Sequence, residues 1–434
     1  MAFDTTDIVL SAIKISIVLM MMLNLTPIMV WVERRGSALI QDRPGPNRVG
    51  PFGLIQSIAD ALKFILKEDI IPAQAHKWLY TLAPAIGLLP ALTTIAVVPW
   101  GRPFAIPDAI NYSPLIATLL GVTAAVLLAL AFAAGAGTAK VHARKTASKL
   151  NVVIGWLVAG GLALGAAAAF GFLLLLRSRG AIPMPAAGRW FEPVVVDVSA
   201  GILIVFALAS LAVYGITIAG WSSSNKYSLF GAIRASAQMI SYELSLTLAA
   251  VSALLVAGSL RLTDVVWHQT GYFVLFDTIK IPAWNICSPA MWISFLVFSV
   301  SAFAETNRLP FDFAEADAEL VAGYHTEYSS MKFALFFMAE YMAMGTMATL
   351  VTTLYLGGWD IPYWNEPATW YGFLATALFF LAKVVFLLFV FVWVRWTIPR
   401  LKYDILMKIG WKVFLPLAIL NIVIVAAFIA AGWI

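Results

Sequence analysis

The chain has 434 residues, 62% of them hydrophobic and only 12% charged, with a mean hydropathy of +0.89 and a formal charge of +5. Soluble domains carry about 25% charged residues, so a water-soluble enzyme is excluded, and the positive charge is no nucleic-acid signal because it sits mostly in loops between apolar runs. One cysteine, Cys287, and four scattered histidines exclude an internal disulfide framework, a four-cysteine iron–sulfur site and a paired-histidine haem or metal site.

Apolar runs of about the 20 residues that a bilayer requires recur at 8–32, 78–99, 113–137, 151–176, 199–220, 236–259, 288–307, 330–356, 370–394 and 411–433. They predict an all-α, polytopic membrane protein of about ten transmembrane helices. The first run is too long for a signal-peptide core and lacks a small-residue cleavage pattern, so it is read as a retained helix. Behind it comes a turn-rich entry, "ERRGSALIQDRPGPNRVGPFG", punctuated by Pro and Gly. Next, "FGLIQSIADALKFILKED" reads as an amphipathic helix. Ile55, Ile58, Leu62, Ile65 and Leu66 line one side, and Gln56, Asp60, Lys63 and Lys67 the other. Its apolar run is too interrupted to span, which places it in the membrane interface.

Residues 112–195 differ in texture, being rich in Ala, Leu and Gly around a basic loop, "KVHARKTASK". They read as an inserted transmembrane hairpin, dividing one membrane domain into 1–111, 112–195 and 196–434. Further on, Glu243 and Glu340 lie inside predicted spans. An ionisable group at mid-membrane costs about 2.5–3.5 kcal/mol on insertion scales and usually marks an ion or proton path; a neutral structural carboxyl is the alternative. Lys14 and Lys383 also fall inside spans. The first can snorkel outward, and the second, being central, is expected to pair with an acid.

The segment Ala304–Tyr328, "AETNRLPFDFAEADAELVAGYHTEY", holds Glu305, Asp312, Glu315, Asp317, Glu319 and Glu327, about a quarter of the chain's 23 acids. Pro310 ends the helix that leaves the membrane. A helix over 311–322 would place Asp312, Glu315 and Glu319 on one face and Asp317 among apolar residues, where an acid exchanges protons closer to neutral pH. A solvated amphipathic loop is the bland alternative. Of the 28 lysines and arginines, 20 fall in loops on one side. By the positive-inside rule that side is cytoplasmic, and both termini face outward.

Four ordered stretches carry a family resemblance: "ERRGSALIQDRPGPNRVGPFGLIQSIADALKFILKE", "SLAVYGITIAGWSSSNKYSLFGAIRASAQMISYELSL", "AETNRLPFDFAEADAELVAGYHTEYSSMKFALFFMAEY" and "RWTIPRLKYDILMKIGWK". Together they resemble the H-type membrane subunit of respiratory complex I, the proton-pumping NADH:quinone oxidoreductase. About 80 residues around 112–195 match nothing in the usual eight-span pattern. The resemblance implies a translocase subunit with no catalytic residue or metal on this chain alone. Flavin and iron–sulfur centres would sit on other subunits, and quinone, ubiquinone or menaquinone, would be the substrate. It assigns Arg34, Arg43, Asp60, Lys63 and Arg308 to the quinone chamber. Glu243, Glu305, Asp312, Glu315, Asp317, Glu319, Glu327 and Glu340 fall to proton coupling, and Glu33, Arg35, Lys67 and Arg234 to a supporting ion-pair network. Asp317 departs from the pattern, since relatives often carry Glu there. Implied partners are the peripheral iron–sulfur and quinone-site subunits, neighbouring small membrane subunits and the lipid bilayer, in a bacterial cytoplasmic membrane. The residues by themselves also suit a lone proton or cation transporter or a scaffold, and the resemblance also admits the anchor of a hydrogenase-type complex, which uses a similar subunit.

Overall fold

The computed structural model describes residues 5–105, 190–275, 279–314 and 317–432. Two compact units divide the chain: Val9–Phe104 with Phe191–Ile434, and Met1–Ile8 with Ala105–Trp190. The expected spans 113–137 and 151–176, and nearly all of the expected hairpin, lie outside the described residues.

In the larger unit the chain runs through α1 (Thr5–Ile40), α2 (Gln56–Leu66), α3 (Lys77–Thr94), α4 (Gly201–Ser222), α5 (Lys226–Ala257), α6 (Leu262–His268), α7 (Trp292–Glu305), α8 (Asp317–Leu320), α9 (Ser330–Tyr355), α10 (Trp370–Thr397), α11 (Tyr403–Ile409) and α12 (Leu415–Ala430). A π-helical turn, Gly410–Phe414, joins the last two into one rod. Among the described residues, seven helical stretches are long and apolar enough to cross a bilayer, and Pro289–Glu305 forms a shorter apolar eighth. The chain is an all-α polytopic membrane protein. Its described strands are short; the longest pair is a hairpin of Tyr272–Leu275 and Ile279–Pro282.

Three boundaries correct the sequence reading. α1 continues to Ile40, so Glu33, Arg34 and Arg35 ride on the helix instead of in a turn-rich loop. It stops where Asp42 adopts φ 50° and Arg43 N–H bonds back to Ala38 O at 2.9 Å. α5 starts at Lys226, ahead of the expected 236, because Asn225 Oδ1 caps it by accepting from Tyr227 N–H at 2.9 Å. Arg234 is therefore helical. Hydropathy marks the membrane thickness, whereas both helices run on beyond it. The third correction is the 311–322 helix: among its described residues only α8, Asp317–Leu320, is helical.

Close helix approach organises the interior. A Cβ on Gly215 of α4 would lie 2.7 Å from Gly87 N of α3, so the two backbones meet across glycine. α2 is tied to α1 by Ser57 Oγ–H donating to Pro27 O at 2.7 Å. Ile55, Ile58, Leu62 and Leu66 stay exposed, the arrangement of a helix lying in the interface. Tyr80 stacks on Tyr328 at 4.1 Å, pinning the acidic segment to α3. We call the side that holds 41–76, 306–329 and 398–402 the basic face. On the opposite side, the last carbonyls of α9 and those of the turn after it are satisfied from three other segments. Gln269 Nε2 donates to Thr353 O (2.8 Å) and Asn285 Nδ2 to Leu354 O (2.7 Å). Lys383 Nζ of α10 donates to Leu356 O, Gly358 O and Asp360 O at 2.7, 2.9 and 2.9 Å.

Candidate functional site

Four segments bring charges together near the basic face. α1 supplies Glu33, α10 supplies Arg395, the turn after α7 supplies Arg308, and α9 supplies Glu340 and Tyr341. Arg308 Nε lies 2.8 Å from Glu340 Oε1, and its Nη1 lies 3.6 Å from Glu33 Oε2. Glu33 also pairs with Arg395 and accepts from Tyr341 O–H at 2.5 Å. The guanidinium of Arg308 stacks 4.2 Å from the Tyr341 ring. Only 4% of Arg308 and 7% of Glu33 are exposed, so these charges are nearly dry. Burial alone would lower the basicity of Arg308, but Glu340, Tyr341 and Glu33 outweigh it and hold the cation more firmly than usual.

A second set lies deeper. Glu243, within α5, takes a short hydrogen bond from Ser210 Oγ of α4. Glu305 ends α7, is 5% exposed, and its Oε2 has no hydrogen-bond partner among the described residues. It lies within electrostatic reach of Glu243. Glu305, Thr306, Asn307, Tyr324 and Glu340 line one cavity of about 80 Å³. A water needs about 10–15 Å³ measured in this way, so several fit. Through its wall the cavity joins the deeper acid to the ion-pair cluster by way of Glu340.

The remaining candidates are spread over the basic face. Arg34 forms an ion pair with Asp60, linking α1 to α2. Arg35 donates to Pro46 O at 3.1 Å and lies over the Phe52 ring. Arg43 is exposed and bonds Gln41 Oε1 at 2.8 Å; Lys63 and Lys67 are exposed on the α2 segment. Arg234 pairs with Glu319 at 2.6 Å at the surface. Glu327 accepts from Asn225 Nδ2 at 2.5 Å. Asp312 is half-buried. Glu315, and the side chain of Asp317, lie outside the described residues. The structure thus gathers Glu305 and Glu340 around a cavity, with Glu243 close by, while Glu319 and Glu327 stand apart from it. Lys383 donates its hydrogen bonds to three backbone carbonyls, with Asp360 and Glu366 within electrostatic reach as the acids expected of a central lysine. Lys14 lies 5.1 Å from the Phe191 ring.

Sequence reasoning missed Arg395, Tyr341 and Ser210 as partners of these acids, and Gln238 as a partner of the turn that carries them. Arg395 offered the clearest signal, an arginine at the end of a 28-residue apolar helix, but nothing in the sequence paired it with Glu33. Among the described residues, no group of three or more His, Cys, Asp or Glu is arranged to hold a metal.

The NADH dehydrogenase family model matches residues 13–142 and 158–426. The chain belongs to this family. An H-type subunit of the NADH-quinone oxidoreductase of Koribacter versatilis is 39% identical over 98% of this chain and 98% of its own length. The corresponding H-type protein of Geobacter metallireducens is 38% identical over 99% of this chain and 97% of its own length. That of Salinibacter ruber is 38% identical over 97% and 96%. These matches run nearly end to end in NADH dehydrogenase family members of similar length, so the aligned stretch takes in 112–195.

Proposed function

We propose that this chain is the H-type membrane subunit of a bacterial proton-pumping NADH:quinone oxidoreductase, seated in the cytoplasmic membrane with both termini outside. The observation that carries the reading is the buried acid cavity, Glu305 to Glu340, within a chain 38–39% identical to H-type subunits over nearly its whole length. Peripheral iron–sulfur and quinone-site subunits dock on the basic face, and small membrane subunits flank the helices. Quinone, as substrate, enters beside α1 and α2, where Arg34 and Asp60 fix the interfacial helix. Arg43, Lys63, Lys67 and Arg35 lie on this same rim.

Quinone reduction takes up electrons and protons near the basic face. The charge change is felt at Glu305 and Glu340, because a dry interior screens charge poorly. Arg308 is the hinge of this coupling. It is shared between Glu340 in the cavity wall and Glu33 on α1, so a gain or loss of charge at Glu340 shifts its balance between the two carboxylates. Glu243 carries the perturbation deeper along α5, and cavity waters move the protons. Asp312, Glu315, Asp317, Glu319 and Glu327 complete the acidic rim facing the peripheral subunits, with Arg234 restraining Glu319.

The test has two parts. A tagged chain purified in mild detergent brings flavin and iron–sulfur subunits and NADH-driven, inhibitor-sensitive quinone reduction. Purification as a lone chain, from membranes that keep the activity, removes the assignment and points to a transporter. In vesicles, Glu305→Gln reduces quinone while pumping fewer protons per NADH; a normal ratio removes Glu305 from the path.

A further inference from the structure

Gln238 is fully buried on α5, five residues before Glu243. Its amide nitrogen donates to Ala304 O and to Phe311 O, both at 2.8 Å. The amide has two N–H hydrogens; the two carbonyls are the close acceptors, and Asn307 Oδ1 is a longer third at 3.4 Å. The nitrogen is therefore fixed toward the turn, and Oε1 is buried with no donor among the described residues. The two carbonyls bracket the segment that carries the chemistry: Ala304 precedes Glu305, and Phe311 precedes Asp312. Between them stand Arg308 and Asn307, the latter at φ 50°. Residues 306–314 form no regular helix or strand; separate turn bonds, such as Asn307 N–H to Ala304 O at 3.3 Å and Phe311 N–H to Arg308 O at 2.8 Å, hold it locally without a continuous ladder. A side chain from another helix clamps both of its ends.

We infer that Gln238 is a positioning residue for proton coupling: its amide sets where Glu305 and Arg308 stand relative to Glu243 and Glu340. This rests on the proposed role of Glu305. The chemistry needed is narrow, namely two donors on one short side chain. Leucine fills similar space and gives none. Glutamate has the same shape; protonated it gives one donor, and ionised it sets a negative charge against two carbonyls. The ionisable groups nearest in sequence on its own helix are Arg234, Tyr242 and Glu243, and the turn it clamps carries Glu305, Arg308 and Asp312.

The experiment measures quinone reduction and protons pumped per NADH, across pH, in the assembled complex carrying Gln238→Leu, Gln238→Glu or Glu305→Gln. The expected result is retained quinone reduction with most of the pumping ratio lost in Gln238→Leu. In Gln238→Glu the ratio is near normal at low pH and falls as pH rises, a slope absent from the parent. If Gln238→Leu does not assemble, the pH slope of Gln238→Glu decides. Normal pumping in Gln238→Leu with impaired pumping in Glu305→Gln overturns the positioning role alone. Normal pumping in Glu305→Gln overturns the reading beneath it and the inference with it. Equal loss of reduction and pumping in Gln238→Leu, with no pH slope in Gln238→Glu, assigns Gln238 to stability only.

Discussion

Replacing Arg308 with methionine keeps most of the side-chain volume and removes the cation between Glu33 and Glu340. Counting Glu33, Glu340, Arg308 and Arg395, the cluster goes from neutral to one net negative charge. Glu33 keeps Arg395 and the Tyr341 hydroxyl. Glu340 loses the ion pair at 2.8 Å. Breaking a buried pair by removing one partner costs about 3–5 kcal/mol. The Glu340 side chain is 17% exposed, so the lower end applies, about 3 kcal/mol. At 1.4 kcal/mol per tenfold, that is roughly a hundredfold. Large membrane assemblies unfold irreversibly, so the quantity to read is the rate of thermal inactivation of the purified complex. Arg308→Met is expected to inactivate up to roughly a hundredfold faster than the parent. Adding Glu340→Gln removes the charge that Arg308 balanced and recovers about half of the loss, a coupling inside the usual 0.5–3 kcal/mol for contacting residues. A single variant as long-lived as the parent, or strictly additive effects, would refute the assignment of Arg308 as the shared cation.

Other expectations follow from local geometry. A Cβ at Gly231 would stand 2.7 Å from Gly323 Cα and 2.8 Å from Tyr324 N. Gly231→Ala is therefore expected to cost about 1–3 kcal/mol and to raise protease sensitivity around 317–329; an unchanged digestion pattern counts against that contact. Burial pushes the Cys287 thiol above its ordinary value. A membrane-impermeant maleimide is expected to label it slowly near neutrality, faster as pH rises, and only from the side opposite the basic face; fast, pH-independent labelling contradicts its environment. Burial also raises the Asp360 carboxyl, against the lowering effects of the Trp284 hydrogen bond and of Lys383 and Arg102. A raised acid binds its proton more tightly when folded, so its stabilisation is complete below the unfolded value of about 3.9 and is lost as pH rises through the folded one. Asp360→Asn keeps an acceptor for Trp284 and is expected to flatten the pH dependence of thermal inactivation; an unchanged slope rejects this.

Much of the fold was readable because membrane helices announce themselves by length and composition. Eight of the expected spans recur as apolar helices, and α2 lies where its two-sided pattern put it. What hydropathy could not register was helix outside the bilayer, which is why α1 and α5 run beyond their expected ends and carry Glu33 and Arg234 with them. The 311–322 helix failed for a different reason. Its local pattern favoured a helix, but Gln238 and the Tyr80–Tyr328 stack hold that segment from outside, and tertiary contacts override propensity. At the site, Glu243, Glu305 and Glu340 stood out as acids in oily surroundings. Their partners did not, because Glu33 and Arg395 are 362 positions apart and only the packing of α1 against α10 makes them neighbours.

The ammonium of Lys383 bears on how the protein is made. Translated by itself, α10 carries a lysine at its centre that resists lipid by about 2.5–3.5 kcal/mol. The turn that follows the preceding helix, α9, presents backbone carbonyls that lipid cannot satisfy. Each defect is the remedy for the other, since the three carbonyls at 356–360 receive the lysine. The two helices therefore suit insertion as a pair, α9 waiting at the translocon until α10 has emerged. The lysine would then set the order of biogenesis, and its loss would be felt first as missing protein.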